Sequence, residues 1–417
     1  MSYTRLLTFK ALALVTLLSS CASRMIEPMV GAESSVSSPA FSSTMAQISN
    51  TPWTRGNQVI TLENGDAYYP AMLEAIQNAQ TSITFEAFAF VDGPMTRTFT
   101  EALAQKAQEG VSVLMIVDEI GSRHIGEDNE ALLRSSGVRF HAYHPLNPLR
   151  PFRSNNRTHR KILVVDGRRA FTGGAGFAYA WEGNAQSADH WRDTQYEVNG
   201  PAVTQLQRAF AENWADLTGE TLAGSAYYPT QLPKGHHMAQ FVFDSPQNRS
   251  NPLAHSVLCG INSARESLIL EQAYFVPNKA LKRALIAASR RGVEVAMLMP
   301  SDKTDSLFCR YASQNSWKEL LKAGVRLYQY NPTMMHGKLL IADSRLSIVG
   351  SGNLDGRSFF INDEVNLHVL SPTFAAEQKA MFLRDLKQAD EITPSNLSVI
   401  VGPALHRIIA KVISPQL

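Results

Sequence analysis

This 417-residue sequence has little excess charge of either sign. Lys and Arg number 39 and Asp and Glu 37, a formal net charge of +2. No global basic field surrounds such a chain, and no basic stripe interleaved with aromatics runs along it. Nucleic acid is therefore not the partner its charges point to. No phosphate-cradling P-loop sequence is present, and with it goes any expectation of nucleotide chemistry. Long apolar runs are missing too: the stretch Ala11 to Leu18 is too short to span a bilayer. Cysteine is sparse. Besides Cys21 there are only Cys259 and Cys309, compatible with one disulfide in an oxidising compartment or with two buried thiols.

What is present begins with a start suited to export. Arg5 and Lys10 precede the short apolar run, and Leu18-Ser19-Ser20-Cys21 follows it. These four residues resemble a bacterial lipobox. The reading is a lipoprotein signal over 1–20, cleaved before Cys21, with lipidation of that thiol. The alternative is an uncleaved signal-anchor. Acyl chains on Cys21 would hold the protein to a membrane at about 0.8 kcal/mol per buried CH₂. Residues 21–50 are rich in Ser and Ala and are expected to form a flexible tether. Beyond them, 44% hydrophobic residues can fill a sizeable core, and the length suits two domains.

An internal repeat sets the domain plan. Ala75 to Glu86 matches Gly260 to Glu271, Glu101 to Val117 matches Lys282 to Leu298, and Leu132 to Pro145 matches Leu320 to Pro332, in the same order. Each middle unit is a helical pattern ending near a glycine, Gly110 or Gly292, followed at once by a buried-strand run. Alternating helices and buried strands predict an α/β layer fold, and two such halves predict a pseudo-dimer within one chain. The expected units are a first domain over 51–222, a linker over 223–237, a second domain over 238–395 and an apolar segment over 396–417.

The chemistry sits in a motif that occurs twice at equivalent places in the repeat. His159 and Lys161 are followed by Asp166 and Gly173; His336 and Lys338 are followed by Asp343 and Gly350. Both copies read H-x-K-x₄-D-x₆-G. Two residues apart, His and Lys share one face of a strand, and apolar runs after them place each pair at a strand's start. A pseudo-twofold would bring both pairs to one pocket holding two imidazoles and two ammoniums. That pocket suits a phosphodiester. The cations stabilise the phosphoryl oxygens, one imidazole attacks phosphorus and the other protonates the leaving oxygen. No metal is required, and the pairs lack the ligand spacing of a zinc site.

The motif resembles that of the phospholipase D superfamily, H-x-K-x₄-D-x₆-G-S-x-N. The second copy matches every fixed position, including Ser351 and Asn353. The first has Gly174 and Gly176 where Ser and Asn are expected. This departure is similar to bacterial cardiolipin synthases, as are Leu62-Glu63-Asn64-Gly65, Ala273-Tyr274-Phe275-Val276-Pro277 and Gly350 to Ser358. The resemblance is greatest to the shorter class without two N-terminal membrane spans. It implies two phospholipase D-like α/β/α sandwiches, a phospholipid substrate at a membrane, and no cofactor. It assigns His159 as nucleophile and His336 as general acid, with the reverse as the alternative. Lys161 and Lys338 complete the catalytic set with Asp166 and Asp343, which orient and support rather than react, and Ser351 and Asn353 bind substrate. Glu364 and Asp193 are expected to orient the imidazoles.

Other readings stay open at this stage. Water as acceptor would make a lipid hydrolase. Arg150, Arg153 and Arg157 form a local basic patch that a nuclease could use. A binding lipoprotein is argued against by two complete motifs. Tyr274 and Phe275 either line an acyl channel or belong to the core. The segment from Leu397 to Ile413, interrupted by Pro403, either lies on a membrane surface or packs on the enzyme.

Overall fold

The computed structural model describes residues 34–147, 149, 151–247 and 250–416. The signal over 1–20 and Cys21 lie outside the described residues.

The strands, in chain order, are β1 Thr54–Glu63, β2 Ser82–Ala87, β3 Ser112–Asp118, β4 Arg139–Tyr143, β5 Ile162–Val165, β6 Arg169–Gly173 and β7 Thr194–Asn199. They continue with β8 His237–Asp244, β9 Ser267–Gln272, β10 Glu294–Pro300, β11 Arg326–Tyr330, β12 Lys338–Ala342, β13 Leu346–Gly350, β14 Glu364–Leu370 and β15 Ala389–Ile392. They form one sheet, ordered β15-β11-β10-β9-β12-β13-β14-β8-β1-β7-β6-β5-β2-β3-β4. Outward from the β8–β1 junction, each strand of the first half meets its counterpart seven places later in the second. The repeat is therefore a repeat of topology, and the two halves are joined edge to edge through antiparallel pairing of β1 with β8.

Strand sequences explain the layering. Along β3, Val113, Met115 and Val117 face one side and Leu114 and Ile116 the other, all buried. Helices Gly65–Gln77 and Pro94–Gln108 cover one face of the first half. Helices Pro252–Ser263 and Lys279–Arg290 do the same for the second. The opposite face is a single core shared by both halves. Phe210 and Trp214 of helix Val203–Thr218 and Phe374 and Phe382 of helix Pro372–Leu386 fill it. Gly110 and Gly292 take φ of 92° and 90° just past their helices, where a residue with a Cβ would be strained.

The expected tether is corrected over part of its length. Pro39–Ser49 is a helix, capped by Ser38, whose hydroxyl accepts the Phe41 N–H at 3.2 Å. Phe41 and Met45, four apart, are buried in the second half's core. The Ser-rich composition masked that spacing. The stretch between the halves is also anchored: the Tyr227 hydroxyl lies 2.8 Å from Ser112 Oγ, and Tyr227 and Tyr228 pack on the shared core.

Candidate active site

Each motif's histidine precedes a short buried strand, β5 or β12, and is laid against the other half of the molecule. The His159 N–H donates to the Asp363 carbonyl at 2.9 Å, and the Asp363 N–H returns a bond to the Arg157 carbonyl at 2.9 Å. Across the pseudo-twofold, the His336 N–H donates to the Arg192 carbonyl at 2.7 Å, and the Arg192 N–H to the Met334 carbonyl at 2.9 Å. Asp363 and Arg192 immediately precede Glu364 and Asp193. Backbone pairing thus delivers each half's carboxylate to the opposite half's imidazole.

The side chains follow. His159 Nδ1 lies 2.9 Å from Glu364 Oε1, and His336 Nδ1 lies 2.6 Å from Asp193 Oδ2. The carboxylates are wholly buried and the imidazoles nearly so. Hydroxyls hold Glu364: Ser351 Oγ donates at 2.5 Å and Ser358 Oγ at 2.7 Å. Asp193 instead accepts the Trp181 indole N–H at 2.9 Å and the Thr194 N–H at 2.8 Å. With Nδ1 donating to a carboxylate, each ring keeps its lone pair on Nε2. Lys161 and Lys338 donate to the carbonyls of His159 and His336 at 2.7 and 2.6 Å.

Electrostatics set the protonation. Burial, reinforced by the lysines, pulls His159 down to about 4 and His336 to about 3, against the upward pull of their carboxylates. Burial also lowers Lys161 to about 7 and depresses Lys338. Burial alone would raise Glu364 and Asp193, but the facing cations and hydrogen-bond donors hold both below the usual carboxylate range. At neutral pH the pocket thus contains neutral imidazoles backed by ionised carboxylates, ready to attack or to gain a proton when a phosphate anion arrives.

Both histidines and Lys161 line one open pocket of about 900 Å³. Its walls differ. Around His336 stand Trp181, Trp191 and Tyr274, with ring centroids 5.4, 5.2 and 5.8 Å away. Phe88 lies 5.2 Å from His159, while Asn353, Arg357 and Asn362 supply a polar side. Asn353 Oδ1 is buried without a protein partner. Tyr274 belongs to the pocket and Phe275 to the core. Trp181, Trp191 and Arg357 escaped the sequence reading. Only the position of Arg357, four residues past Asn353, hinted at it.

Three expectations change here. Asp166 and Asp343 lie past the far ends of β5 and β12 and do not line the pocket. Asp166 accepts the N–H groups of Thr81 and Ser82 at 2.7 and 3.0 Å; Asp343 accepts those of Glu266 and Ser267 at 2.8 and 3.1 Å. Both pin the turn before the neighbouring strand, so their role is structural. Ser351 spends its hydroxyl on Glu364, a positioning role where substrate contact was expected. The described arginines of the basic patch are engaged within the protein: Arg153 pairs with Asp216 at 3.0 Å and Arg157 is buried, while Arg150 lies outside the described residues. Cys259 and Cys309 are both free thiols.

Paired imidazole–lysine sets from two sandwiches, gathered in one pocket, define a phosphodiester-transferring enzyme of the phospholipase D superfamily. A family model described as "Cardiolipin synthase, PLD-like domain" matches residues 72–214 and 257–386. The chain belongs to that cardiolipin synthase family. It is 34% identical over 350 residues to cardiolipin synthase A of Pseudomonas fluorescens, covering 84% of this chain and 72% of the relative. It is 33% identical over 335 residues to cardiolipin synthase 2 of Bacillus anthracis, covering 80% of this chain and 65% of that one. Among solved structures, phosphatidylserine synthase of Haemophilus influenzae shares the fold, with a TM-score of 0.64 and 13% identity over 90% of this chain and 99% of that one.

Proposed function

We propose that the protein makes cardiolipin from two phosphatidylglycerols, with release of glycerol, through a phosphatidyl-histidine intermediate. One observation carries the reading: two neutral imidazoles, each backed by a carboxylate from the other half, share one pocket with Lys161, and Lys338 Nζ lies 3.2 Å from His336 Nε2. His159 Nε2 attacks phosphorus, forming a P–N bond. His336 takes up a proton on Nε2 as the phosphate anion binds; when the P–O bond to the glycerol headgroup breaks it gives that proton to the leaving oxygen and returns to the neutral form. In the second step His336 removes the proton from a hydroxyl of the incoming phosphatidylglycerol. That oxygen bonds to phosphorus as the P–N bond breaks. One phosphodiester replaces another, so atoms and charge balance without a nucleotide or other cofactor. The lysines stabilise the charge on the phosphoryl oxygens.

The aromatic wall at His336 favours a lipid acceptor over water, since it offers the carbons of an incoming glycerol headgroup an apolar face. Nucleic acid is not a partner in this reading, because Arg153 and Arg157 are already engaged within the protein. We place the enzyme at a bacterial membrane, lipid-anchored through Cys21 and facing the periplasm or exterior. No described helix is long and apolar enough to cross a bilayer. The domain units are those stated from the repeat, shortened at the tether.

The test is purified protein on phosphatidylglycerol vesicles. Cardiolipin and glycerol should appear in equal amounts. Phosphatidic acid as the main product would replace the transferase with a hydrolase, and cleaved DNA with intact lipid would replace it with a nuclease. His159→Ala and His336→Ala should each abolish transfer. Full activity in either would overturn the two-histidine scheme.

A further inference from the structure

We propose that helix Ala404–Ile413 is a docking element that seats the pocket's mouth on an anionic phospholipid surface. The inference rests on the lipid-transfer reading and adds to it the device that brings a membrane-embedded headgroup to the histidines. An amphipathic helix on a globular protein ordinarily turns its apolar stripe to the core. Here the stripe is reversed. Ala410 is buried against the side of helix Leu307–Ala323, clustered with Ala312 and Val276, and the His406 ring lies 5.4 Å from Tyr311. Leu405, Ile408, Ile409 and Val412 are 65%, 61%, 43% and 48% exposed. At 3.6 residues per turn these four fall within an arc of about 100° on the side away from Ala410. Four large apolar side chains on one solvent face form a patch that soluble surfaces rarely carry without a partner.

Position and charge identify that partner. Just past the helix, Gln416 lines the catalytic pocket; its Oε1 accepts from Asn155 Nδ2 at 3.2 Å and its carbonyl from Arg357 at 3.4 Å. At the start of the helix beneath, half-exposed Leu307 and Phe308 lie between the pocket-lining residues Ser306 and Cys309. Apolar side chains therefore continue up to the pocket's edge. Residues 393–417 include His406, Arg407 and Lys411 and no Asp or Glu. An apolar arc flanked only by basic groups fits acyl chains beneath anionic headgroups. A second copy would bring like charges together.

Two variants of the full chain test the proposal. Ile408→Trp, mixed with phosphatidylglycerol vesicles carrying brominated acyl chains, should show quenching beyond that of the five native tryptophans. Replacing Leu405, Ile408, Ile409 and Val412 together by Ser should lower turnover of vesicular phosphatidylglycerol roughly tenfold. Turnover of a short-chain, monomerically dispersed phosphatidylglycerol should stay within about twofold, which also reports that the variant is folded. If the introduced indole stays unquenched on vesicle-bound protein, the proposal is overturned. So it is by equal turnover of both lipid forms in the Ser variant, or by a halving of sedimenting mass, which would make the face a self-contact. If the unsubstituted chain turns over neither lipid form, the transferase reading fails, while quenching still reports on the helix.

Discussion

Restoring the superfamily motif in the first half should destroy activity. The substitution is Gly174→Ser, which gives that copy the serine its counterpart has at Ser351. The backbone at Gly174 is open to any residue, so the obstacle is space. An added Cβ would stand 2.3 Å from Asp193 Oδ1 and 2.9 Å from both Cγ and Oδ2. Ordinary contact begins near 3.4 Å, so the carboxylate must retreat by about an ångström. Asp193 Oδ2 is now 2.6 Å from His336 Nδ1. One ångström more exceeds hydrogen-bond range and leaves the imidazole without its orienting partner. Displacements of that size cost on the order of 10²-fold in rate, and loss of a carboxylate behind a catalytic histidine up to about 10⁴-fold. The expected result is a fall in kcat of roughly 10²-fold or more with KM little changed, since the substitution leaves untouched the lysines and Asn353 that the proposed scheme puts on the phosphate. Gly174→Ala should match it, because the Cβ alone does the damage. Cardiolipin formation from phosphatidylglycerol vesicles measures the rate, and a thermal melt reports folding. If the serine variant keeps or gains activity, Gly174 is not what the Asp193 carboxylate packs against, and the reasoning fails.

Two further outcomes follow from other residues. Asp166→Asn should leave kcat per folded molecule within about twofold while lowering stability by about 1–3 kcal/mol, because it weakens acceptance of three backbone N–H groups; urea unfolding alongside turnover separates the two, and a large kcat loss would restore Asp166 to the chemistry. His368 is buried in β14, its Nε2 has no partner, and burial pulls it down to about 3. Its folded-state value lies below its unfolded one near 6.5, so the stability of the neutral ring is present above 6.5 and is lost as pH falls toward 3. At pH 5 the loss is about 2 kcal/mol, so His368→Met should gain on the parent by that much between pH 7.5 and 5 in denaturant melts. Parallel stability–pH curves for the two proteins would sink this assignment.

The repeat was legible because topology repeats with it. Helix, positive-φ glycine and buried strand recur in order, and those signals are local. The two H-x-K pairs were legible because spacing by two on a strand is local as well. The crossing of the carboxylates was not. Glu364 stands 205 residues from His159, and what joins them is backbone pairing between the loop at Thr158 and the strand entry at Asp363. Nor does a motif say where a hydroxyl points. Ser351 reads as a phosphate ligand, yet Glu364 takes its hydrogen bond. Trp181 stood outside every motif, although its indole does for Asp193 what Ser351 does for Glu364. The helix at Pro39–Ser49 hid behind its serines, of which Ser43 is exposed and Ser42 half-buried while Phe41 and Met45 are buried.

That substitution of an indole for a hydroxyl bears on how the enzyme divides its labour. The two halves share strand order and the H-x-K geometry, but each histidine takes its carboxylate from the opposite strand entry. Half a molecule would hold an imidazole without its orienting group and a buried carboxylate without its partner, a pairing failure that costs several kcal/mol by itself. On the proposed scheme neither half is a catalyst alone, so selection on one histidine's surroundings acts through the other half's sequence. This frees the two walls to diverge. Gly174 and Gly176 vacate space that Asp193 and the Trp181 ring occupy, giving His336 an aromatic enclosure. Around His159, Ser351, Asn353 and Arg357 keep a hydrogen-bonding one. A symmetric scaffold thereby supports two unlike imidazole sites, as the proposed division between one nucleophile and one general acid demands.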